Sequence, residues 1–107
     1  MQEFSTPAAV TIDPAAALTD ALEQRAASSP GSVQFARKTG DRWTDVTAGE
    51  FTTQVRAVAA GLVASGVRAG DRVALMSRTR YEWTLCDYAI WTAGAVTVPI
   101  YETSSAE

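Results

Sequence analysis

The sequence predicts an α/β fold, in which a β-hairpin precedes a β-α-β unit and helices pack against both. The short apolar run from Val73 to Met76 has the composition of a strand buried on both faces. A helical segment follows and ends at Gly94, and the residues from Ala95 to Val98 form a second apolar run that Pro99 closes. Because a helix separates the two runs, the strands are expected to be parallel, with a right-handed connection.

The helix of this unit is predicted over residues 80–93. Thr79 and Glu82 have the spacing of a capping box, in which each side chain satisfies a free backbone N–H group. Apolar side chains cover more than half of the helix circumference, so the helix is expected to need cover beyond the sheet, as in a large protein. Cys86 lies on this apolar side and is interpreted as a small buried hydrophobe.

Residues 1–12 show no period and are predicted to form an irregular leader. Asp13 and Pro14 are typical of a helix start, with Asp as the N-cap and Pro at the first helical position. Leu18, Leu22 and Ala26 then recur every four residues on one face, and residues 28–31 end the helix.

A β-hairpin is predicted next, since residues 33–38 alternate between apolar and polar and residues 43–46 return after a Gly-containing turn. Trp43 is interpreted as cover for the adjacent helix.

A second helix is predicted to follow the hairpin. Thr47 and Glu50 form a second capping box. Gly61 is expected to allow close packing, and Gly66 followed by Val67 predicts a Schellman C-terminus. The apolar stripe of this helix consists of Phe51, Val55, Val58 and Leu62.

Composition excludes several classes of function. The chain has 107 residues, a net charge of −3 and no basic patch, so no nucleic-acid partner is expected. The absence of His excludes a Ser-His-Asp triad and His-based metal sites, and the single Cys excludes an internal disulfide and a Cys-based zinc site. The first residues do not have the pattern of a secretory signal, and the apolar runs are shorter than the roughly 20 residues of a membrane span. We therefore expect a cytoplasmic chain.

The candidate site residues follow the two predicted strands. The loop Ser77–Arg80 joins a strand to a helix, a position that often binds phosphate, but it lacks the glycines of known phosphate loops, and Thr79 is explained by capping. Tyr101 and Glu102 lie at the functional end of a parallel sheet. Glu50, Glu82 and Asp71 form no recognisable acid–base pair, so the sequence assigns no catalytic, cofactor-binding or metal-binding residue.

Residues 104–107 form a third capping box, a device that starts helices. No helix follows it, which leads us to expect that the chain is the N-terminal piece of a longer protein.

Most of the chain resembles the start of an AMP-forming long-chain fatty-acid–CoA ligase, an acyl-CoA synthetase of the adenylate-forming superfamily. The matching residues are Thr44, Thr47, Glu50 and Phe51; Ala60 to Leu62 with Gly66 and Val67; Gly70 to Leu75; Arg80 to Trp83 with Asp87 and Ala89; Ala93 to Val96; and Val98 to Tyr101 with Thr103.

The resemblance implies a parent enzyme that activates a fatty acid with ATP and Mg²⁺ to acyl-AMP and then transfers the acyl group to coenzyme A. The phosphate loop, the ribose-binding acid, the adenine motif and the catalytic Lys of that family lie downstream of the segment that matches. Residues 1–107 are therefore expected to be an inactive scaffold, the N-terminal part of the large domain, with the remainder of the parent chain as partner. The resemblance also implies a cytoplasmic parent, and it leaves open a peripheral membrane location.

Two alternatives stay open. The chain could be a free-standing α/β interaction or binding module, or the start of another adenylating enzyme such as a carboxylic-acid reductase. A coding frame that continues past Glu107 into a Thr/Ser/Gly-rich phosphate loop would exclude the free-standing module. As an isolated polypeptide, the chain is expected to self-associate through open strand edges and an apolar patch on the helix 80–93.

Overall fold

The computed structural model describes residues 3–104 and confirms the α/β class. Three helices and four strands occur within these residues, and the strands form an antiparallel pair and a parallel pair. In chain order the elements are α1 (Asp20–Ser28), β1 (Val33–Thr39), β2 (Arg42–Thr47), α2 (Ala48–Ala64), β3 (Arg72–Met76), α3 (Tyr81–Thr92) and β4 (Val96–Ile100).

The predicted hairpin is confirmed. β1 and β2 pair in antiparallel register, with Thr39 opposite Arg42 across the turn at Gly40. Gly40 has a φ of 61°, a left-handed conformation that glycine adopts without strain. The interpretation of Trp43 as helix cover is wrong, because the side chain is 69% exposed.

α2 begins and ends as its sequence predicts. Both hydrogen bonds of the capping box between Thr47 and Glu50 are present. At the other end the N–H of Gly66 donates to the carbonyl of Val63, and the N–H of Val67 donates to that of Leu62, as in a Schellman motif. The close packing predicted at Gly61 is wrong for the described part of the chain, where a Cβ at that position would meet open space.

The core lies between the hairpin, α2 and α3. Phe51 and Val55 on α2 are fully buried, and Leu22 and Val46 complete the buried cluster. Around it pack the partly buried side chains of Phe35, Tyr81, Leu85 and Tyr88.

Aromatic rings order this core. The ring of Phe51 lies 4.6 Å from that of Phe35, 5.9 Å from that of Tyr81 and 5.6 Å from that of Tyr88, measured between centroids. The Tyr81 and Tyr88 rings meet Phe51 edge to face, a favoured aromatic geometry. One phenylalanine therefore links the hairpin to α3.

The predicted β-α-β unit is confirmed. β3 and β4 are parallel neighbours, with Ala74 opposite Val98 and Met76 opposite Ile100, and α3 packs against both strands. The prediction that Pro99 closes the second strand is wrong, because β4 continues through it to Ile100. Proline is tolerated on an edge strand, where its missing N–H leaves no ladder bond unmade.

The start of α3 differs from its prediction. The helix begins at Tyr81 with Arg80 as the N-cap, and in the described part of the chain no side chain caps it. The predicted capping box between Thr79 and Glu82 is wrong because Glu82 occupies the second helical position, and its carboxylate instead contacts Arg37 on β1 at 2.6 Å. The predicted end is correct: Gly94 has a φ of 77° and follows the last turn.

The exposed apolar surface that the sequence predicts on α3 is found on the parallel strand pair instead. Residues 81–91 are all at least half-buried, because α2 and the aromatic core supply the cover that the sheet does not. Cys86, interpreted from the sequence as buried, is half-buried. The bare apolar side chains lie on the face of the parallel pair that points away from α3, so β3 is not buried on both faces within the described residues.

The N-terminal helix starts later than predicted. Asp13 and Pro14 form a turn, in which the Asp13 carboxylate accepts a hydrogen bond from the N–H of Ala15 at 2.8 Å. α1 begins only at Asp20; Leu18 is 70% exposed, whereas Leu22 is buried.

Two further points concern sequence expectations. The capping box at residues 104–107 extends outside the described residues. Among residues 3–104, none of the helices is long and apolar enough to cross a membrane.

Candidate functional site

An open cleft of about 450 Å³ lies at the carboxyl ends of β3 and β4, and we call it the strand-end cleft. Ligands of open α/β sheets bind at this end of parallel strands, where loops and helix N-termini converge. Its lining residues are Ser77, Arg78, Thr79, Trp83, Pro99, Ile100, Tyr101 and Glu102.

An ion pair spans the strand-end cleft. The Nε of Arg78, which follows β3, donates to an oxygen of Glu102, which follows β4, at 3.2 Å. The two side chains are 84% and 50% exposed, so the pair links the strand ends while adding little stability. Because the only carboxylate that lines the cleft is exposed and paired with a cation, the described lining has no second acid for acid–base chemistry.

Aromatic side chains complete the strand-end cleft. Trp83 reaches it from the first turn of α3 and is half-buried, and Tyr101 lies at the mouth with 84% of its surface exposed. The cleft thus places two aromatic side chains beside the Arg78–Glu102 ion pair.

The structure brings some predicted site residues together and separates others. The first three residues of the Ser77–Arg80 loop line the cleft together with Tyr101 and Glu102, as their positions after two parallel strands predict, whereas Arg80 does not line it. Asp71 lies at the opposite end of β3, where its carboxylate accepts a hydrogen bond from the N–H of Arg68 at 2.8 Å.

Sequence reasoning missed two features of the cleft. The Arg78–Glu102 pair could have been predicted from the sequence, because each residue closely follows one of the two strands that the sequence predicts to be parallel neighbours. Trp83 carries no such signal, since one more apolar residue on an apolar helix indicates packing as readily as a ligand surface.

A second groove, of about 460 Å³, lies between the hairpin and the start of α3. Arg37 links its two sides: the guanidinium bonds to Glu82 at 2.6 Å and lies 5.1 Å from the centre of the Tyr81 ring. Exposed Trp43 lines the same groove.

Titration around this groove follows from its contacts. A hydrogen bond from its own backbone N–H, together with Arg37 and Arg80, lowers the pKa of Glu82 below its usual value. Burial raises the pKa of Tyr81, whose hydroxyl is 3.0 Å from an amide oxygen of Gln54 and donates to it. Both shifts keep the groups in their ordinary charge states at neutral pH, which indicates structural contacts. Across residues 3–104, His, Cys, Asp and Glu form no group of three that could hold a metal ion.

Known proteins resemble this chain in sequence and in fold. The chain is 48% identical over 107 residues to the long-chain-fatty-acid–CoA ligase FadD15 of Mycobacterium bovis, with 100% of this chain and 18% of FadD15 covered. It is 34% identical over 93 residues to the uncharacterized protein Rv1549 of Mycobacterium tuberculosis, with 84% of this chain and 50% of that protein covered. The crystal structure of a fatty acid AMP ligase from Legionella pneumophila superposes with a TM-score of 0.75 at 27% identity, over 84% of this chain and 16% of the ligase.

The fold is that of part of an α/β subdomain of the kind found at the N-terminus of adenylate-forming ligases. The chain belongs to the AMP-binding enzyme family, which matches residues 22–107. It spans less than a fifth of the length of FadD15 and matches the N-terminal part of such ligases.

Proposed function

We propose that this chain is the N-terminal scaffold of a long-chain fatty-acid–CoA ligase, which converts a fatty acid, ATP and coenzyme A to acyl-CoA, AMP and diphosphate through acyl-AMP. The observation that carries the proposal is 48% identity to FadD15 along the whole chain. The parallel strand pair, with α3 on one face, supports it as the corresponding structural unit.

In this proposal residues 1–107 carry the fold and the remainder of the ligase carries the chemistry. Activating a carboxylate with ATP requires several aligned donors and a cation around the triphosphate. The strand-end cleft offers a single ion pair, which falls short of that requirement. ATP, Mg²⁺ and coenzyme A are therefore assigned to the rest of the ligase, and this segment is inactive alone.

The same proposal places the ligase in the cytoplasm and leaves its fatty-acid chain length open. It also implies that the isolated segment self-associates weakly, through apolar side chains that the rest of the ligase would cover. Val96 and Met76, which are 51% and 56% exposed, belong to this surface.

A chimera tests the proposal. The 107 aligned residues of FadD15 are replaced by this chain, and palmitoyl-CoA formation is measured with ATP, Mg²⁺ and coenzyme A. We expect kcat/KM within about tenfold of that of intact FadD15, a difference of about 1.4 kcal/mol in transition-state stabilisation. A chimera that folds but forms no acyl-CoA would contradict the proposal, and so would turnover by the isolated chain above a boiled control.

A further inference from the structure

One face of the β3–β4 pair is uncovered in the described part of the chain. Along both strands alternate residues point to opposite faces, and paired residues share a face. Val73 and Leu75 point toward α3 and are half-buried, whereas their neighbours along β3 are exposed. We call the other side the bare sheet face; it consists of Arg72, Ala74 and Met76 on β3 and Val96, Val98 and Ile100 on β4.

Apart from Arg72 at one end, the bare sheet face is apolar, and it is accessible. Met76 is 56% exposed, Val96 51%, Val98 39% and Ile100 37%. Parallel sheets are normally covered on both faces, because their strands are apolar on both sides. Among the described residues the sheet also has only two strands, so both outer edges carry unpaired N–H and C=O groups. The pair is therefore an unfinished sheet.

A second copy of the chain is a poor occupant of this face. Five partly exposed apolar side chains amount to a few hundred Å², the size of the largest patch on an ordinary monomer. A stable interface buries about 800 Å² on each partner. Two copies meeting face to face would associate weakly, which leaves a larger partner that also reaches the open edges.

In the relatives, further polypeptide accompanies the matched segment. The matched segment makes up 18% of FadD15 but 50% of Rv1549, a much shorter protein. The segment therefore occurs in polypeptides whose remaining lengths differ greatly.

We propose that the bare sheet face is a docking surface for the remainder of a long-chain fatty-acid–CoA ligase, and that it holds the two pieces together when they are separate polypeptides. The proposal rests on the proposed function, because it takes the ligase remainder as the partner. The docked partner covers Val98 and its neighbours and pairs with an edge of the sheet.

The test uses two co-expressed polypeptides, so that folding of each can depend on the other. One is this chain, and the other is tagged FadD15 of Mycobacterium bovis without its 107 aligned residues. We expect this chain to co-purify with the tagged remainder in equal amounts and to restore palmitoyl-CoA formation. Intact tagged FadD15, which keeps its own segment, is expected to capture none.

Matched valine variants locate the surface. Val98→Asp lies on the bare sheet face, whereas Val63→Asp lies on α2 at a position that is 54% exposed and away from that face. We expect Val98→Asp to reduce co-purification at least about tenfold, as truncation of an interface anchor does, and Val63→Asp to leave it unchanged. Val98→Thr, which keeps the β-branched shape, should reduce co-purification less. This variant distinguishes loss of binding from misfolding of the strand.

The outcomes separate this inference from the proposed function. If the chimera of this chain with FadD15 is active but the separate remainder is insoluble or captures no wild-type chain, assembly of separate polypeptides is wrong while the proposed function stands. An inactive chimera contradicts the proposed function itself. Equal loss with Val98→Asp and Val63→Asp, or equal capture by intact FadD15, overturns the assignment of the surface.

Discussion

The aromatic core and the parallel strand pair are built from similar residues but end in different environments. Phe51 and Val55 on α2 are fully buried, because side chains of α1, the hairpin and α3 pack around them. Val96 and Val98, equally apolar, are 51% and 39% exposed, because only one face of their sheet has a helix on it. An apolar sequence therefore predicts that a segment will be buried, but it does not show which residues cover it. The described residues of this chain cover the aromatic core and leave one face of the parallel pair exposed.

The largest effect on the free energy of unfolding is expected in the aromatic core, whose central side chains are fully buried. Phe51→Ala removes the ring that contacts the aromatic side chains on both sides of the core, and we expect a loss of about 3–5 kcal/mol in the free energy of unfolding. Such a loss is comparable to the whole stability of a marginal domain. Urea denaturation followed by circular dichroism measures it. If the comparison between the regions holds, Val98→Asp changes the same quantity by less than about 1 kcal/mol.

The junction of the two regions should respond less strongly. Gly94 ends α3 with a φ of 77°, and a Cβ there would lie 3.3 Å from the Cβ of Ala69. We expect Gly94→Ala to cost about 1–2 kcal/mol in the free energy of unfolding, because the left-handed conformation strains any other residue. The control is Gly61→Ala within α2, where a Cβ meets open space, and this variant should gain about 0.5–1 kcal/mol. Equal effects of the two substitutions would show that the turn at Gly94 is unimportant.

A smaller effect is expected at the start of α2. The Thr47 side chain accepts a hydrogen bond from the backbone N–H of Glu50, and Thr47→Ala should cost about 1 kcal/mol in thermal or urea unfolding. Thr79→Ala is the matched control at the predicted capping box that does not form, and it should be neutral. A comparable loss at Thr79 would mean that it caps α3 in solution.

The smallest effect concerns pH. Hydrogen bonds from the backbone N–H of Thr47 and, second, from its hydroxyl lower the pKa of Glu50 in the folded chain below the ordinary Glu value of 4.5. Since the folded state prefers the charged form, this stabilisation is present above pH 4.5 and is lost as the pH falls through the lower folded-state pKa. Urea unfolding of the wild type and Glu50→Gln between pH 3 and pH 6 should show the difference in stability between them shrinking toward low pH. A constant difference would contradict this account of the cap.

How much of the fold could be predicted depends on whether the residues that interact are close together or far apart in the sequence. Local chemistry was sufficient for the hairpin turn, for the cap at Thr47 and for the glycines that end α2 and α3. It was not sufficient at Glu82, because Arg37, which is 45 residues away in sequence, takes the carboxylate that the capping box would need. Nor does periodicity distinguish a helix start from the turn at Asp13, since the same residue types favour both.

The candidate site illustrates the same limit. The positions of Tyr101 and Glu102 at the end of a parallel strand were predictable, because topology alone places them there. The ion pair to Arg78 and the contribution of Trp83 depend on side-chain directions that one sequence does not specify. Likewise, the apolar run from Val73 to Met76 predicts a sheet covered on both faces without indicating which polypeptide covers it.

Native-state hydrogen exchange of the isolated chain tests the central claim most directly, namely that one region is complete and the other unfinished. We expect the amides of α2 around Val55 to exchange only through global unfolding, and those of β4 around Val98 to exchange through local opening at a lower free energy. Addition of the FadD15 remainder should slow exchange in β4 and leave α2 nearly unchanged. Equal protection of α2 and β4 in the isolated chain would contradict the account, because the parallel pair would then be complete without a partner.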